Sequence, residues 1–320
     1  MQIGVFTALW GNLSFEEALD KAKKFGITAV EIGAGGYPGQ PHCPVDDLLE
    51  SKTAREEWLG KITGRGLTLS ALSIHNNPIH PNKEVAAEAD AVIKKAIKLA
   101  ALLGVPTING FSGLPAGAAS DTMPNWVTCA WPPHFLEILD YQWNEKAIPY
   151  WKTIHPLLEE HDLTFGFEMH PGMLVYSVDT LLRLRDAVGS RLGANFDPSH
   201  LWWNGVDPVA AIRKLGEAIF HVHGKDVYLD PLNMQVNGCN DHKHYGDIPR
   251  RSWTFRSIGY GHGLKDWKDM ISALRMVGYD YVISIEHEDA LMSPDEGLGK
   301  AVSLLKEAVI FEEAGEMFWA

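Results

Sequence analysis

Eight short, largely apolar runs recur along this 320-residue chain, each followed by a stretch with helical periodicity. In the first unit, IGVFTAL (3–9) precedes Ser14 and FEEALDKAKKFG, where Phe15, Ala18, Leu19, Ala22 and Phe25 share one face and Gly26 ends the run. The pattern continues with strands at 29–33, 69–75, 107–113, 165–170, 193–198, 219–226 and 281–288. Their helices are predicted near 53–64, 84–103, 144–161, 178–188, 207–216, 266–277 and 296–312. Strands that are apolar almost throughout are buried on both faces, as parallel strands covered by helices are. Eight such units close economically into one (β/α)8 TIM barrel spanning residues 1–320. The rival, a doubly wound open sheet, places a glycine-rich phosphate loop after its first strand, and FTALWGNLS has no such loop. No nucleotide cofactor is therefore expected.

Two connections are far longer than the rest, 114–143 after the fourth strand and 227–265 after the seventh. Long loops at strand C-termini are where barrels build active sites. Both read as walls or lids, the first rich in Pro and Trp. With 46% apolar and 22% charged residues there is ample core and no linker-like block. The formal charge of −13 disfavours nucleic acid as a partner. Cys43, Cys129 and Cys239 lie far apart with no CxxC pair, which points to a reducing cytoplasm and against a thiolate metal site. No run approaches the ~20 apolar residues of a membrane span, so no membrane partner is expected.

Ligand-type side chains end four successive strands: Glu168 in FGFEMHP, Asp197 in GANFDPSH, His223 in IFHVHGKD and Glu286 in VISIEHED. Strand ends five to eight would aim these three carboxylates and one imidazole into one pocket. That set suits one divalent ion, with Mn2+ the first expectation and Mg2+, Co2+ or Zn2+ as alternatives. Glu288 shares a face with Glu286 by strand alternation and remains open as the ligand. His221 stands two before His223 and is either another ligand or a histidine of the barrel core. Lys225 could hold a substrate oxygen or pair with a carboxylate. Glu31 and His75 end the second and third strands and are expected on the pocket rim. Arg256, near the glycines of SIGYGHG, could clamp a phosphate or a carbonyl. Trp10, Trp126, Trp131, Trp202 and Trp203 lie in or beside strand-end loops and could face sugar rings.

From GVFTALWG through AVEIGAGGYPG and LSIHNNPIHPN to DPSH, HVHGKD and IEHED, the chain resembles the xylose isomerase-like barrels of the sugar phosphate isomerase/epimerase type. The resemblance implies that Glu168, Asp197, His223 and Glu286 hold the metal, that Glu168 and Glu286 also move protons, and that His200 in D-x-x-H touches substrate. It implies proton abstraction beside the carbonyl of a sugar or oxidised sugar, leading to isomerisation or epimerisation. Relatives that cleave 3-oxo-glycosides, including the catalytic subunits of C-glycoside deglycosidases, suggest β-elimination as the alternative, with His134 of the long fourth loop as an extra acid. A second metal near His75 and His244 would follow the related endonucleases that cut at abasic sites. A carbohydrate-binding barrel without catalysis is the non-enzymatic reading. By analogy the chain would form a homo-oligomer or pair with a small accessory subunit.

Overall fold

The computed structural model describes residues 1–319. Its strands are β1 (Gln2–Phe6), β2 (Ala29–Gly33), β3 (Thr68–Ser73), β4 (Thr107–Gly110), β5 (Thr164–Glu168), β6 (Leu192–Phe196), β7 (Ile219–Gly224), β8 (Asp226–Leu229), β9 (Trp253–Arg256) and β10 (Val282–Ile285). β1 to β7 and β10 pair in parallel and in sequence, and β10 closes on β1 with Gln2 opposite Val282. The barrel expected from the eight repeats is thus formed. β8 and β9 lie outside it as an antiparallel ribbon that brackets the long insert after β7.

The helices are α1 (Phe15–Lys24), α2 (Val45–Glu50), α3 (Lys52–Thr63), α4 (Lys83–Leu103), α5 (His134–Asp140), α6 (Ile148–Glu160), α7 (Val178–Val188), α8 (Pro198–Trp202), α9 (Pro208–Leu215), α10 (Pro231–Asn237), α11 (Leu264–Met276) and α12 (Pro294–Ala308). Ser14 begins α1 through a reciprocal capping box with Glu17. The helix expected near 144–161 is longer, because α5 runs through a π-helical stretch, Tyr141–Ala147, into α6.

Side-chain alternation divides the strands into two chemistries. Val30 and Ile32, Ile108, Phe165 and Phe167, Ala194 and Phe196, Val222, and Ile283 and Ile285 join the large apolar cluster shared with the helices. The residues between them, Glu31, Asn109, Asn195, His221, His223 and Ser284, are buried and hydrogen-bond one another across the barrel. Register shifts at Val30/Glu31 and at Ala194/Asn195 fall where two of these polar residues enter, a common role for strand irregularities near sites. Gly166 in β5 leaves room for that layer, since a Cβ there would lie 2.9 Å from Asn109 Oδ1.

Trp151 of α6 is fully buried against Phe165 and Phe167 of β5, with ring centroids 4.8 and 4.6 Å away, and its indole donates to Ser112 O at 3.1 Å. Trp151→Ala should therefore lower the unfolding free energy by about 3–5 kcal/mol, read from urea denaturation. A loss below 1 kcal/mol would mean that this wall of the barrel is not a packed core.

Candidate metal and active site

The polar layer rises to the C-terminal mouth of the barrel, where four side chains converge. Glu168 ends β5, Asp197 follows β6 as the cap of α8, His223 lies in β7, and Glu286 follows β10. One ligand atom from each lies within 4.8 Å of the others. His223 Nδ1 is 3.2 Å from both Glu168 Oε2 and Glu286 Oε2. Asp197 spends Oδ1 on the Ser199 backbone N–H at 2.8 Å, which turns Oδ2 toward the centre. Asp197 Oδ2 and His223 Nδ1 are both buried without a well-formed hydrogen bond. Two such atoms facing a cluster of oxygens suit a divalent cation, and the hard oxygen and imidazole donors fit Mn2+, Mg2+, Co2+ or Zn2+.

Lys225 is the resident cation, with Nζ 2.7 Å from Glu286 Oε2 and 3.1 Å from both Asp197 Oδ2 and Glu288 Oε2. Burial would lower its pKa, but Asp197, Glu286, Glu288 and Glu168 together raise it well above the ordinary lysine value. The same balance holds His223 well above its usual value, where burial is outweighed by Glu31, Glu286 and Glu168. Burial pushes the Glu168 carboxyl up, but Lys225, His75, His200 and His223 bring it well below the usual range. Glu286 falls to about 2, burial being offset chiefly by Lys225. The centre is thus a nest of ionised carboxylates that selects positive charge.

An imidazole and phenyl belt surrounds this nest. His75 Nε2 and His200 Nε2 each lie 2.9 Å from a Glu168 oxygen, and His200 is also 3.3 Å from Asp197 Oδ2. His75 meets Phe111, Phe111 meets His170, His170 meets His200, and His200 meets Phe255, with centroids 4.3 to 5.2 Å apart. Phe6 stacks on His223 at 6.0 Å. Sequence reasoning missed His170, Phe111 and Phe255. His170 was findable, because it stands two residues after Glu168 and so shares its side of the chain.

The structure brings His75, His200 and Lys225 to the quartet and corrects other expectations. Glu31 is not on the rim: it is buried inside the barrel, bonded to Ser73, Asn109 and Ser284, with His223 Nε2 3.0 Å from Oε1. It orients His223 instead of facing substrate. Arg256 pairs with Asp289 at 3.0 Å and covers the Tyr260 ring, so its guanidinium is engaged within the loops. His134 is exposed at the start of α5 and stacks edge-on against Phe135. Trp10 is buried in the main apolar core, Trp131 is exposed, and Trp202 stacks on His262 at 3.7 Å. His244 is exposed and bonds the Gly246 N–H, while Asp241 accepts from the Ser252 N–H. Among the described residues neither His75 nor His244 joins a metal-type cluster, and His75 turns to Glu168; Glu31, His221 and His223, and Glu168, His170 and His200, form two further groupings of ligand-type atoms beside the quartet. Glu286, not Glu288, enters the quartet; the Glu288 side chain is 48% exposed and reaches only Lys225.

His221 is buried in the barrel, between Asn195 Oδ1 at 3.1 Å and Ser70 Oγ at 3.3 Å, and groups with Glu31 and His223. Beyond Lys225, Asp226 is a staple. Its Oδ2 accepts from the backbone N–H groups of Gly259, Gly261 and His262, and its Oδ1 from Val227 N–H, with the His262 ring 2.8 Å away.

Burial pushes His221 down to about 4, so it stays neutral in the fold while an unfolded histidine titrates near 6.5. Below that value the unfolded chain binds the extra proton, and stability is lost as pH falls toward 4. His221→Gln should therefore gain melting temperature relative to wild type as pH drops from 6.5 to 4. A difference that stays constant with pH would show that His221 carries a proton in the fold.

The Xylose isomerase-like TIM barrel family model matches residues 19–308. An uncharacterised Bacillus subtilis protein, YfiH, is 41% identical over 312 residues, covering 97% of this chain and 99% of its own. An inosose dehydratase from Lacticaseibacillus casei is 22% identical, covering 95% of this chain and 96% of its own. Among solved structures, a D-tagatose 3-epimerase-like protein superposes with a TM-score of 0.63 at 22% identity, over 96% of this chain and 97% of that one. The family match across most of the chain, the near full-length likeness to YfiH and the closed barrel agree: this chain belongs to the xylose isomerase-like TIM barrel family.

Proposed function

We propose that this protein is a divalent-metal-dependent carbohydrate enzyme that removes a proton next to a carbonyl and returns it as an isomerase or epimerase. The observation that carries the reading is the quartet Glu168, Asp197, His223 and Glu286, with two of its buried ligand atoms lacking hydrogen bonds. An ion held by these four groups would polarise the carbonyl and make the neighbouring C–H acidic. Glu168 and Glu286 are ionised at neutral pH, the state a proton acceptor requires. His75 and His200 fix the two Glu168 oxygens, and Lys225 fixes Glu286, so each carboxylate is held in one orientation. A base on either side of the reacting carbon allows the proton to be taken from one face and delivered to another position or to the other face. The sugar 3-epimerase-like fold neighbour supports this chemistry by its name.

Lys225 favours a second reading. A buried ammonium beside the two glutamates would stabilise charge on a departing oxygen, which serves β-elimination from an oxidised sugar or cyclic polyol ketone. The full-length likeness to an inosose dehydratase supports it. Incubation with Mn2+ in deuterium oxide separates the outcomes: label at the carbon beside the carbonyl of a recovered free sugar marks the first reading. Loss of water from an inosose, or release of the aglycone from a 3-oxo-glycoside, marks the second.

Glu168→Gln and Glu286→Gln should each lower turnover by about 10²- to 10⁴-fold while the native circular dichroism spectrum is kept. A variant retaining most activity would remove that residue from the proton path. Glu31→Gln should weaken Mn2+ binding by about 10- to 100-fold in equilibrium dialysis, because it loosens the His223 ring. Unchanged affinity would mean that His223 is not a ligand or that its orientation is set elsewhere.

A further inference from the structure

A separate cavity of about 240 Å³ opens on the C-terminal face of the barrel. It is lined by four loop segments: Trp126 and Thr128 follow β4, Pro171 and Tyr176 follow β5, Trp203 and Asn204 follow β6, and Cys239 and Asn240 belong to the insert after β7. Two of these segments continue from residues of the site. Pro171 stands three residues beyond Glu168 and next to His170; Trp203 stands three beyond His200. An aromatic wall makes the same connection in space, running from Trp203 to Trp253 (4.8 Å), Phe255 (5.3 Å) and His200 (5.2 Å), the residue that bonds Glu168.

Its lining is unusual for a mere packing defect. Trp126 and Tyr176 meet edge-on at 5.5 Å, so ring faces and edges bound the space. The indole N–H groups of Trp126 and Trp203 are buried with no acceptor. Thr128 and Asn240 are exposed and Tyr176 and Asn204 half-buried, so hydroxyl and amide groups border the space beside the rings. Aromatic surface with unspent donors and bordering polar groups matches a six-membered ring that carries hydroxyls, whose C–H faces stack while its oxygens bond.

We propose that this cavity is a subsite for a second hydroxylated ring joined to the reacting sugar, so that the substrate is a two-ring sugar whose reacting ring keeps its carbonyl, and not a monosaccharide. The inference rests on the proposed carbohydrate function, and it assigns the loops after β4 and β7 to substrate selection. Isothermal titration of the Mn2+-loaded protein with D-glucose, cellobiose and phenyl β-D-glucopyranoside tests it, the last two separating a glycosyl from an aromatic second ring. Cellobiose should bind tenfold or more tightly than glucose, and an advantage confined to phenyl β-D-glucopyranoside, whose second ring carries no hydroxyl, would overturn the hydroxylated ring. Thr128→Trp, at an exposed position, should fill the cavity and erase that advantage while leaving glucose affinity and melting temperature unchanged. Equal affinity for the three probes, no binding by any of them, or an advantage that survives Thr128→Trp would overturn the subsite. Absence of deuterium exchange and of elimination would instead overturn the carbonyl chemistry, whatever the titrations give.

Discussion

The mouth of this barrel depends on packing four largely buried carboxylates around one imidazole and one ammonium. Glu31, Glu168, Asp197 and Glu286 gather around His223 and Lys225, with Glu288 at the edge. Isolated, any of these charges would be expensive to bury, and together they are tolerable only in a geometry that pairs them all. A closed sheet provides that geometry, because neighbouring strand ends are held at fixed spacing by their backbone bonds. The fold and the charge cluster are therefore coupled. Shifting one strand by a residue would send a carboxylate into the apolar layer beneath the helices.

How much of this was legible beforehand follows from what each signal encodes. Strand and helix repeats depend on local periodicity, so the barrel could be read from units such as IGVFTAL with its capped helix, and the quartet from its recurrence at strand ends. The inner polar layer was hidden because strands such as AVEIG and GANFDP read as apolar overall. Only in the closed barrel does it emerge that Glu31 and Asn195 point inward while their neighbours point out. Glu31 was accordingly taken for a rim residue. The pairing of Arg256 was hidden for a different reason. A loop side chain's partner is a long-range fact, and Asp289, which engages Arg256, lies 33 residues away.

The two long loops share one small apolar core on top of the barrel, built from Trp203, Val227, Trp253 and Phe255 with Trp126, Trp202 and Cys239 packed against it. Strand ends β6 and β7, the β8–β9 ribbon and the loop after β4 thus meet in one body. Phe255 belongs to both this core and the site, lying against His200 and beneath the Lys225 ammonium at 4.8 Å. Packing in the upper layer consequently sets the position of groups that face the metal-type cluster.

The Asp226 staple adds an anchor to that arrangement. By gathering three backbone N–H groups of the segment 259–262, one carboxylate closes the insert at its root, next to Lys225. Everything between β8 and β9 then hangs from a sealed stem. The anchor at that root is independent of the tip's composition, because the donors that Oδ2 gathers are all backbone N–H groups.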